Sequence, residues 1–200
     1  VKTGERVLEL GCGVGVASLC LMRRVVGVDV CGVEINPKLA ELARRNGREN
    51  GLPLNIFDGD ISVMPRDLLT QSFDHVMANP PYFDRARGSR SEDQVRERSR
   101  GENTPISVWV SAASRRVKPK GYVHFIFPTQ RLADLLAALP SHMGSVQVIP
   151  FVPRQGRGSE LLILTARHSG RAPLKLLPQI AIHQAQEYFK DGAGYTEQVS

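Results

Sequence analysis

The segment Asn79-Pro80-Pro81-Tyr82 places an amide, two prolines and a phenol ring side by side. It follows the apolar run 73–78, which predicts a strand that ends there. Two consecutive prolines lack N–H groups and have a fixed φ, so they end the strand in a rigid, extended turn. Such a turn presents an amide, carbonyl oxygens and an aromatic face at the carboxyl end of a strand, where ligands bind in open α/β sheets. This set of groups suits holding a planar amino group.

A glycine-rich turn, Glu9-Leu10-Gly11-Cys12-Gly13-Val14-Gly15, ends another predicted strand. Glycines there let the backbone turn sharply and approach a ligand closely, and Cys12 supplies a small side chain that fits the turn. The G-x-G-x-G spacing differs from the G-x-G-x-x-G of nicotinamide binders, and Glu9 would repel a phosphate near the helix start. The acid instead favours a cationic ligand that carries an amino acid group.

Two further acids follow predicted strands. Glu34 ends the second strand about 20 residues after the glycines, where a carboxylate can accept hydrogen bonds from both ribose hydroxyls. Asp60 follows the third strand and could accept a hydrogen bond from an adenine amino group, with Asp58 as the alternative for that role. Three acids at three consecutive strand ends predict one nucleoside site around the glycine turn.

The segments that must position these residues alternate between strand and helix patterns. Strands are predicted over 6–10, within 25–35, and over 54–57, 73–78, 122–127, 146–152 and 161–166. Helices are predicted over 16–23, 37–50, 105–117 and 131–139, the second with Asn36 as its N-cap. The pattern predicts an α/β fold, a Rossmann-like doubly wound seven-stranded sheet, mostly parallel with a C-terminal antiparallel hairpin. Residues 118–121 are expected to end the helix over 105–117 before the fifth strand begins, and Trp109 is expected in the core.

Composition indicates an ordinary globular protein with a basic surface. The chain has 200 residues, a net charge of +6 and a pI near 9.5, which is compatible with a polyanionic partner. Six arginines lie within residues 85–100, directly after the proline turn. Three cysteines without metal-ligand spacing favour a reducing cytoplasm, and no run is long enough to span a membrane. Because the chain opens at Val1 without Met, we expect an upstream segment.

The ordered set Glu9–Gly15, Glu34, Asp60 and Asn79–Tyr82 resembles the motifs of class I S-adenosylmethionine-dependent methyltransferases. Within that class, the Asn-Pro-Pro-Tyr segment resembles the signature of enzymes that methylate exocyclic amines of adenine or guanine, or glutamine amides. The resemblance implies S-adenosylmethionine as cofactor and no metal. The implied cofactor-binding residues are these: Glu9, Gly11, Cys12, Gly13, Gly15, Glu34, Asp60 and Asn79.

A closer resemblance extends over nearly the whole chain. Phe83-Asp84, the arginine loop and the later patterns Leu176-Leu177-Pro178, Ile182-His183 and Tyr195-Thr196 are similar to bacterial tRNA (adenine) N6-methyltransferases that act on valine tRNA. It implies an adenine in RNA, preferably tRNA, as substrate. Asn79, Pro80 and Tyr82 are then the expected catalytic residues, and the expected substrate contacts are these: Pro81, Tyr82, Phe83, Arg96 and Arg98.

The chain departs from that family in two places, and other substrates stay open. The upstream segment that family members usually carry is absent before Val1, and residues 98–102 read Arg-Ser-Arg-Gly-Glu where the family usually has Arg-His-Glu. The alternatives are a glutamine N5-methyltransferase of release factors, a ribosomal RNA or DNA amino-methyltransferase, and a non-catalytic subunit that binds nucleic acid. We expect a methyltransferase domain over 1–168 and a C-terminal extension, 169–200, packed on it.

Overall fold

One mixed β-sheet organises the chain. A computed structural model describes residues 1–81 and 104–183, and the sheet has nine strands within these ranges. The strands are β1 (Arg6–Leu10), β2 (Asp29–Glu34), β3 (Asn55–Asp58), β4 (Phe73–Ala78), β5 (Val117–Pro128), β6 (Met143–Val152), β7 (Leu161–His168), β8 (Lys175–Leu176) and β9 (Ile180–Ala181).

The strand order is β3-β2-β1-β4-β5-β7-β6-β8, and β9 also pairs with β6. Strands β1 to β5 run parallel, whereas β7 lies antiparallel between β5 and β6. This arrangement confirms the predicted Rossmann-like, mostly parallel sheet with its C-terminal antiparallel hairpin. The seven predicted strands correspond to β1–β7. The two-residue strands β8 and β9, which pair in parallel with β6, were not predicted.

Five α-helices connect the strands in the described part of the chain. They are α1 (Val16–Arg24), α2 (Pro37–Glu49), α3 (Arg66–Leu69), α4 (Ile106–Arg116) and α5 (Leu132–Ala138). The predicted cap of α2 is confirmed, because the Asn36 side chain accepts a 3.0 Å hydrogen bond from the Lys38 N–H. None of these helices is long and apolar enough to cross a membrane.

The sheet separates two hydrophobic clusters. Successive residues of a strand point to opposite faces, and in β1 Val7 belongs to one cluster while Leu8 belongs to the other. The cluster around Val7 packs α1 and α2 on one face. The larger cluster packs α4 and α5 on the other face and includes Phe73, Phe125 and Trp109. The helices on both faces therefore pack against the strands whose ends carry the predicted site.

The predicted stop at 118–121 lies inside a strand. Val117 pairs with Phe73 and Tyr122 pairs with His75, so residues 118–121 bulge out opposite Asp74. Pro119 cannot donate to the ladder, and Lys120 adopts a φ of 68°. The prediction that the fifth strand starts at Tyr122 was wrong. Strand β5 already starts at Val117, and residues 118–121 interrupt its pairing with β4 without ending it.

Candidate active site

The carboxyl ends of β1, β2 and β4 meet at one edge of the sheet. Leu10 at the end of β1 pairs with Val33 in β2 and with Ala78 in β4. Parallel strands in register bring the loops that follow them together. The structure therefore places the glycine turn beside Glu34 on one side and beside Asn79 on the other.

A cavity of about 210 Å³ opens at this edge. Five predicted site residues line it: Gly11, Glu34, Asp60, Asn79 and Pro81. The other lining residues are Val33, Ile35, Gly59, Ile61, Thr104 and Trp109. Part of the set predicted for the cofactor thus shares one cavity with the proline turn predicted for the substrate, whereas Glu9, Cys12, Gly13 and Gly15 are not among the lining residues.

Glu34 lines the cavity and links the segments on either side of it. It is buried, with 6% of its surface exposed. Its Oε2 accepts a 2.8 Å hydrogen bond from the Gly13 N–H, and its Oε1 accepts a 2.9 Å bond from the Asn36 N–H. A carboxylate has about four acceptor positions. Two backbone bonds therefore fix the side chain while leaving acceptor capacity for two hydroxyl groups.

Asp60 and Asp58 have different surroundings. Asp60 lines the cavity, and its Oδ1 accepts a 2.7 Å hydrogen bond from the Ser62 N–H, which caps the 3₁₀ turn Ile61–Val63. Asp58 is exposed and forms an ion pair with Arg44 of α2. The geometry favours Asp60 over Asp58 for the adenine contact, although that contact stays a prediction.

Glu9 is not among the cavity-lining residues. It is buried, and its Oε2 accepts hydrogen bonds from the backbone N–H and the hydroxyl of Ser18 in α1. Burial raises the pKa of this carboxyl to about 7, with the nearby Glu34 charge adding to the shift and the Ser18 bonds opposing it. In this structure Glu9 ties β1 to α1, and its predicted cofactor contact stays a prediction.

The backbone of the glycine turn is left-handed at each of its three glycines. Gly11, Gly13 and Gly15 have φ values of 63°, 55° and 81°, a region that side chains with a Cβ rarely enter. Cys12 between them is buried, and burial raises the pKa of its thiol to about 12. A protonated, buried thiol is a poor nucleophile, so Cys12 fills space in the turn as the sequence indicated.

The proline turn begins where β4 ends, as predicted. Asn79 is exposed, Pro80 is buried, and both Asn79 and Pro81 border the cavity. Pro80 thus anchors the turn, while its neighbours face the space in which a substrate would lie. Four predicted substrate contacts, Tyr82, Phe83, Arg96 and Arg98, lie outside the described residues.

Trp109 is a site residue that the sequence analysis did not find. It is 6% exposed and belongs to the core, as expected, but it also forms a wall of the cavity. Its place in the first turn of the helix after the proline turn was the available signal. Helical periodicity alone does not distinguish a buried aromatic side chain from one that borders a ligand site.

The fold and the site define a class. A mostly parallel sheet with this antiparallel end, a glycine turn and acids after successive strands are the features of class I S-adenosylmethionine-dependent methyltransferases. Residues 7–96 match a family model described as "Methyltransferase domain". This match covers just under half of the chain, and it agrees with the predicted class and with S-adenosylmethionine as the predicted cofactor.

Two similar proteins carry the same name. The chain is 33% identical over 136 residues to a tRNA1(Val) (adenine(37)-N6)-methyltransferase of Porphyromonas gingivalis, which covers 66% of this chain and 52% of that protein. It is 25% identical over 203 residues to a protein of the same name from Glaesserella parasuis, covering 98% of this chain and 82% of that protein. The chain thus spans about half the length of the Porphyromonas relative.

A solved structure shows the same fold over the full length. A protein of Agrobacterium tumefaciens, described as a predicted O-methyltransferase, superposes with a TM-score of 0.78 at 22% identity. The superposition covers 100% of this chain and 88% of that protein. At this identity the likeness concerns the fold.

Proposed function

We propose that the chain transfers a methyl group from S-adenosylmethionine to the exocyclic amino group of an adenine in RNA, with tRNA as the preferred substrate. One observation carries the proposal. Asn79 and Pro81 of the proline turn border the same cavity as Gly11, Glu34 and Asp60. The groups suited to an amino acceptor therefore lie beside the groups suited to the methyl donor.

The cofactor site follows from the hydrogen-bond capacity of each side chain. Glu34 is held by the backbone of both neighbouring turns and would accept from the ribose hydroxyls. Asp60, which also lines the cavity, would accept from the adenine amino group. Gly11, Gly13 and Gly15 would give the close backbone approach, Cys12 fills the turn, and Glu9 ties the strand before the turn to the helix after it. S-adenosylmethionine, when bound, supplies an activated methyl group whose leaving group departs neutral.

The proline turn would orient the acceptor nitrogen. An amine conjugated to a ring is a weak nucleophile because its lone pair is delocalised into the ring. The Asn79 side-chain oxygen and the Pro80 carbonyl can each accept one N–H bond, which favours a pyramidal nitrogen and stabilises the positive charge that develops there. Neither group is a base, so the proton of the methylated nitrogen leaves to water. Alignment contributes most to the rate in such a transfer.

The choice of RNA rests on similarity and charge. The curated relatives carry a tRNA name, and residues 85–100 contain six arginines. We propose that Tyr82 and Phe83 stack on the target base, where stacking contributes roughly 1–3 kcal/mol per base. Arg96 and Arg98 would bind phosphates. We also propose that residues 169–200 form an extension of the 1–168 domain and that the protein works in the cytoplasm.

The test is transfer of labelled methyl from S-adenosylmethionine to total tRNA, ribosomal RNA and a release factor in parallel. We expect label in tRNA and N6-methyladenosine after nucleoside analysis. The Asn79→Ala protein, incubated identically, is the matched control for contaminating enzymes. Label in the release factor with none in RNA would contradict the proposal and indicate a glutamine methyltransferase. Label in ribosomal RNA alone would correct the substrate but not the reaction.

A further inference from the structure

The indole nitrogen of Trp109 is a buried donor for which the described protein atoms supply no acceptor. Trp109 lies in the first turn of α4, and its Nε1 has no hydrogen-bond partner there. Native proteins rarely leave a buried N–H unpaired, because its lost hydration is then not replaced. The donor therefore indicates an acceptor that the described protein atoms do not provide.

The ring that carries this donor belongs to a residue of the cavity wall. Trp109 is one of the cavity walls, together with Asp60 and Ile61. A Cβ on Gly11 would lie 2.6 Å from Trp109 Cη2 and 3.0 Å from Cζ3, so the six-membered ring packs directly on the backbone of the glycine turn. Only glycine leaves room for the ring at this point. Glycine at position 11 therefore allows the Trp109 ring, which carries the unpaired donor, to occupy its place in the cavity wall.

We propose that the Trp109 Nε1–H donates a hydrogen bond to the adenosine half of S-adenosylmethionine, which makes Trp109 a cofactor-binding residue. The inference rests on the cofactor binding that the proposed function requires. The sulfonium and ammonium groups of the cofactor cannot accept a hydrogen bond, whereas the purine nitrogens and ribose oxygens can. Helix α4 packs against the 3₁₀ turn that follows Asp60, the residue predicted to meet the adenine. This neighbourhood favours the adenosine half over the methionine carboxylate.

The chain offers a direct spectroscopic test because it contains a single tryptophan. Its ¹⁵N-labelled protein therefore gives one indole N–H cross-peak. We expect that peak to move downfield and to exchange more slowly with solvent on addition of S-adenosylhomocysteine. 5′-Methylthioadenosine, which lacks the carboxylate, should have the same effect. An indole peak that stays in place while the Gly13 amide reports binding of 5′-methylthioadenosine would overturn the proposal.

An isosteric replacement tests the same bond by affinity. Biosynthetic substitution of tryptophan by 3-benzothienylalanine keeps the bicyclic shape and puts sulfur in place of the N–H. We expect the Kd for both ligands to rise about 3- to 10-fold, the loss of one neutral hydrogen bond. Trp109→Phe should show a rise at least as large. An unchanged Kd in the benzothienyl protein would overturn the inference.

Phe73→Leu is the matched control. Phe73 is fully buried in the same core cluster but is not a cavity wall. It should lose stability without changing the Kd, which separates a general packing defect from a lost contact. If the wild-type chain binds neither ligand, the proposed function and the inference both fail. If binding and the indole shift are present but no RNA is methylated, the inference stands and the proposed substrate fails.

Discussion

The Gly13 N–H donates a 2.8 Å hydrogen bond to Glu34 Oε2. This bond joins the turn after β1 to the acid at the end of β2, and the second oxygen of the same carboxylate accepts from Asn36 at the start of α2. The side chain that is predicted to bind the ribose is therefore also the one that sets the distance between two loops of the site. Stability and cofactor affinity are coupled at Glu34.

We expect Glu34→Gln to lower both quantities. A glutamine amide has one acceptor oxygen and presents N–H groups to the other backbone donor, so one of the two loop bonds is lost together with a ribose contact. Hydrogen bonds to charged groups contribute about 1.5–3 kcal/mol, which predicts a rise of about 10- to 100-fold in the Kd of S-adenosylhomocysteine. Calorimetric titration measures it. Asp58→Asn, at the exposed end of β3, should leave the Kd unchanged; an effect as large as that of Glu34→Gln would show that Asp58 belongs to the site.

Asn79→Ala should separate chemistry from cofactor binding. Asn79 is exposed and lines the cavity, so we expect its replacement to preserve the fold while it removes an acceptor for the amine. We expect single-turnover methyl transfer to fall at least about 100-fold, the scale of losing one group that stabilises developing charge. The Kd of S-adenosylhomocysteine should change by less than about threefold. Asn79→Asp keeps an acceptor oxygen and should retain more activity than alanine. Equal loss of affinity and rate in the alanine protein would mean that Asn79 supports the site and not the reaction.

The features of the site that could be predicted from the sequence are those that depend on residues close together in the chain. Asn36 caps α2 through Lys38, two residues away, and the prolines after Asn79 end β4 wherever the chain goes next. The contact between Gly11 and Trp109 depends on how α4 packs on the sheet, which no local pattern reports. Sequence also could not separate Asp58 from Asp60, because the difference comes from the ion pair between Asp58 and Arg44 of α2. Strands β8 and β9 exist because β6 offers a free edge.

Substitutions at two glycines of the same turn test the contact between Gly11 and Trp109. Gly11 and Gly13 both have positive φ, so alanine strains the backbone at either position by about 1 kcal/mol. A Cβ at Gly13 meets nothing within 4 Å, whereas one at Gly11 lies 2.6 Å from the Trp109 ring. We expect Gly11→Ala to lower the free energy of unfolding by about 2 kcal/mol more than Gly13→Ala does. It should also shift the emission of the single tryptophan. Equal destabilisation in urea denaturation would contradict the packing of Trp109 on the turn.

The buried Glu9 carboxyl predicts a pH dependence of stability. Its pKa in the folded protein is raised to about 7 from 4.5, first by burial. The folded state therefore holds a proton that the unfolded state has released between these two values, and stability must fall as pH rises through this window. Glu9→Gln removes the titration while its amide oxygen can still accept from Ser18.

We therefore expect the wild-type chain to lose stability relative to Glu9→Gln as pH rises from about 5 to about 8. The difference approaches about 3 kcal/mol at its limit, because each pKa unit corresponds to 1.36 kcal/mol. Urea denaturation of both proteins at closely spaced pH values measures it, and the other titrating groups cancel in the comparison. A difference that is the same at pH 5 and pH 8 would show that Glu9 is ionised throughout. Its bonds to Ser18 would then outweigh the cost of burial.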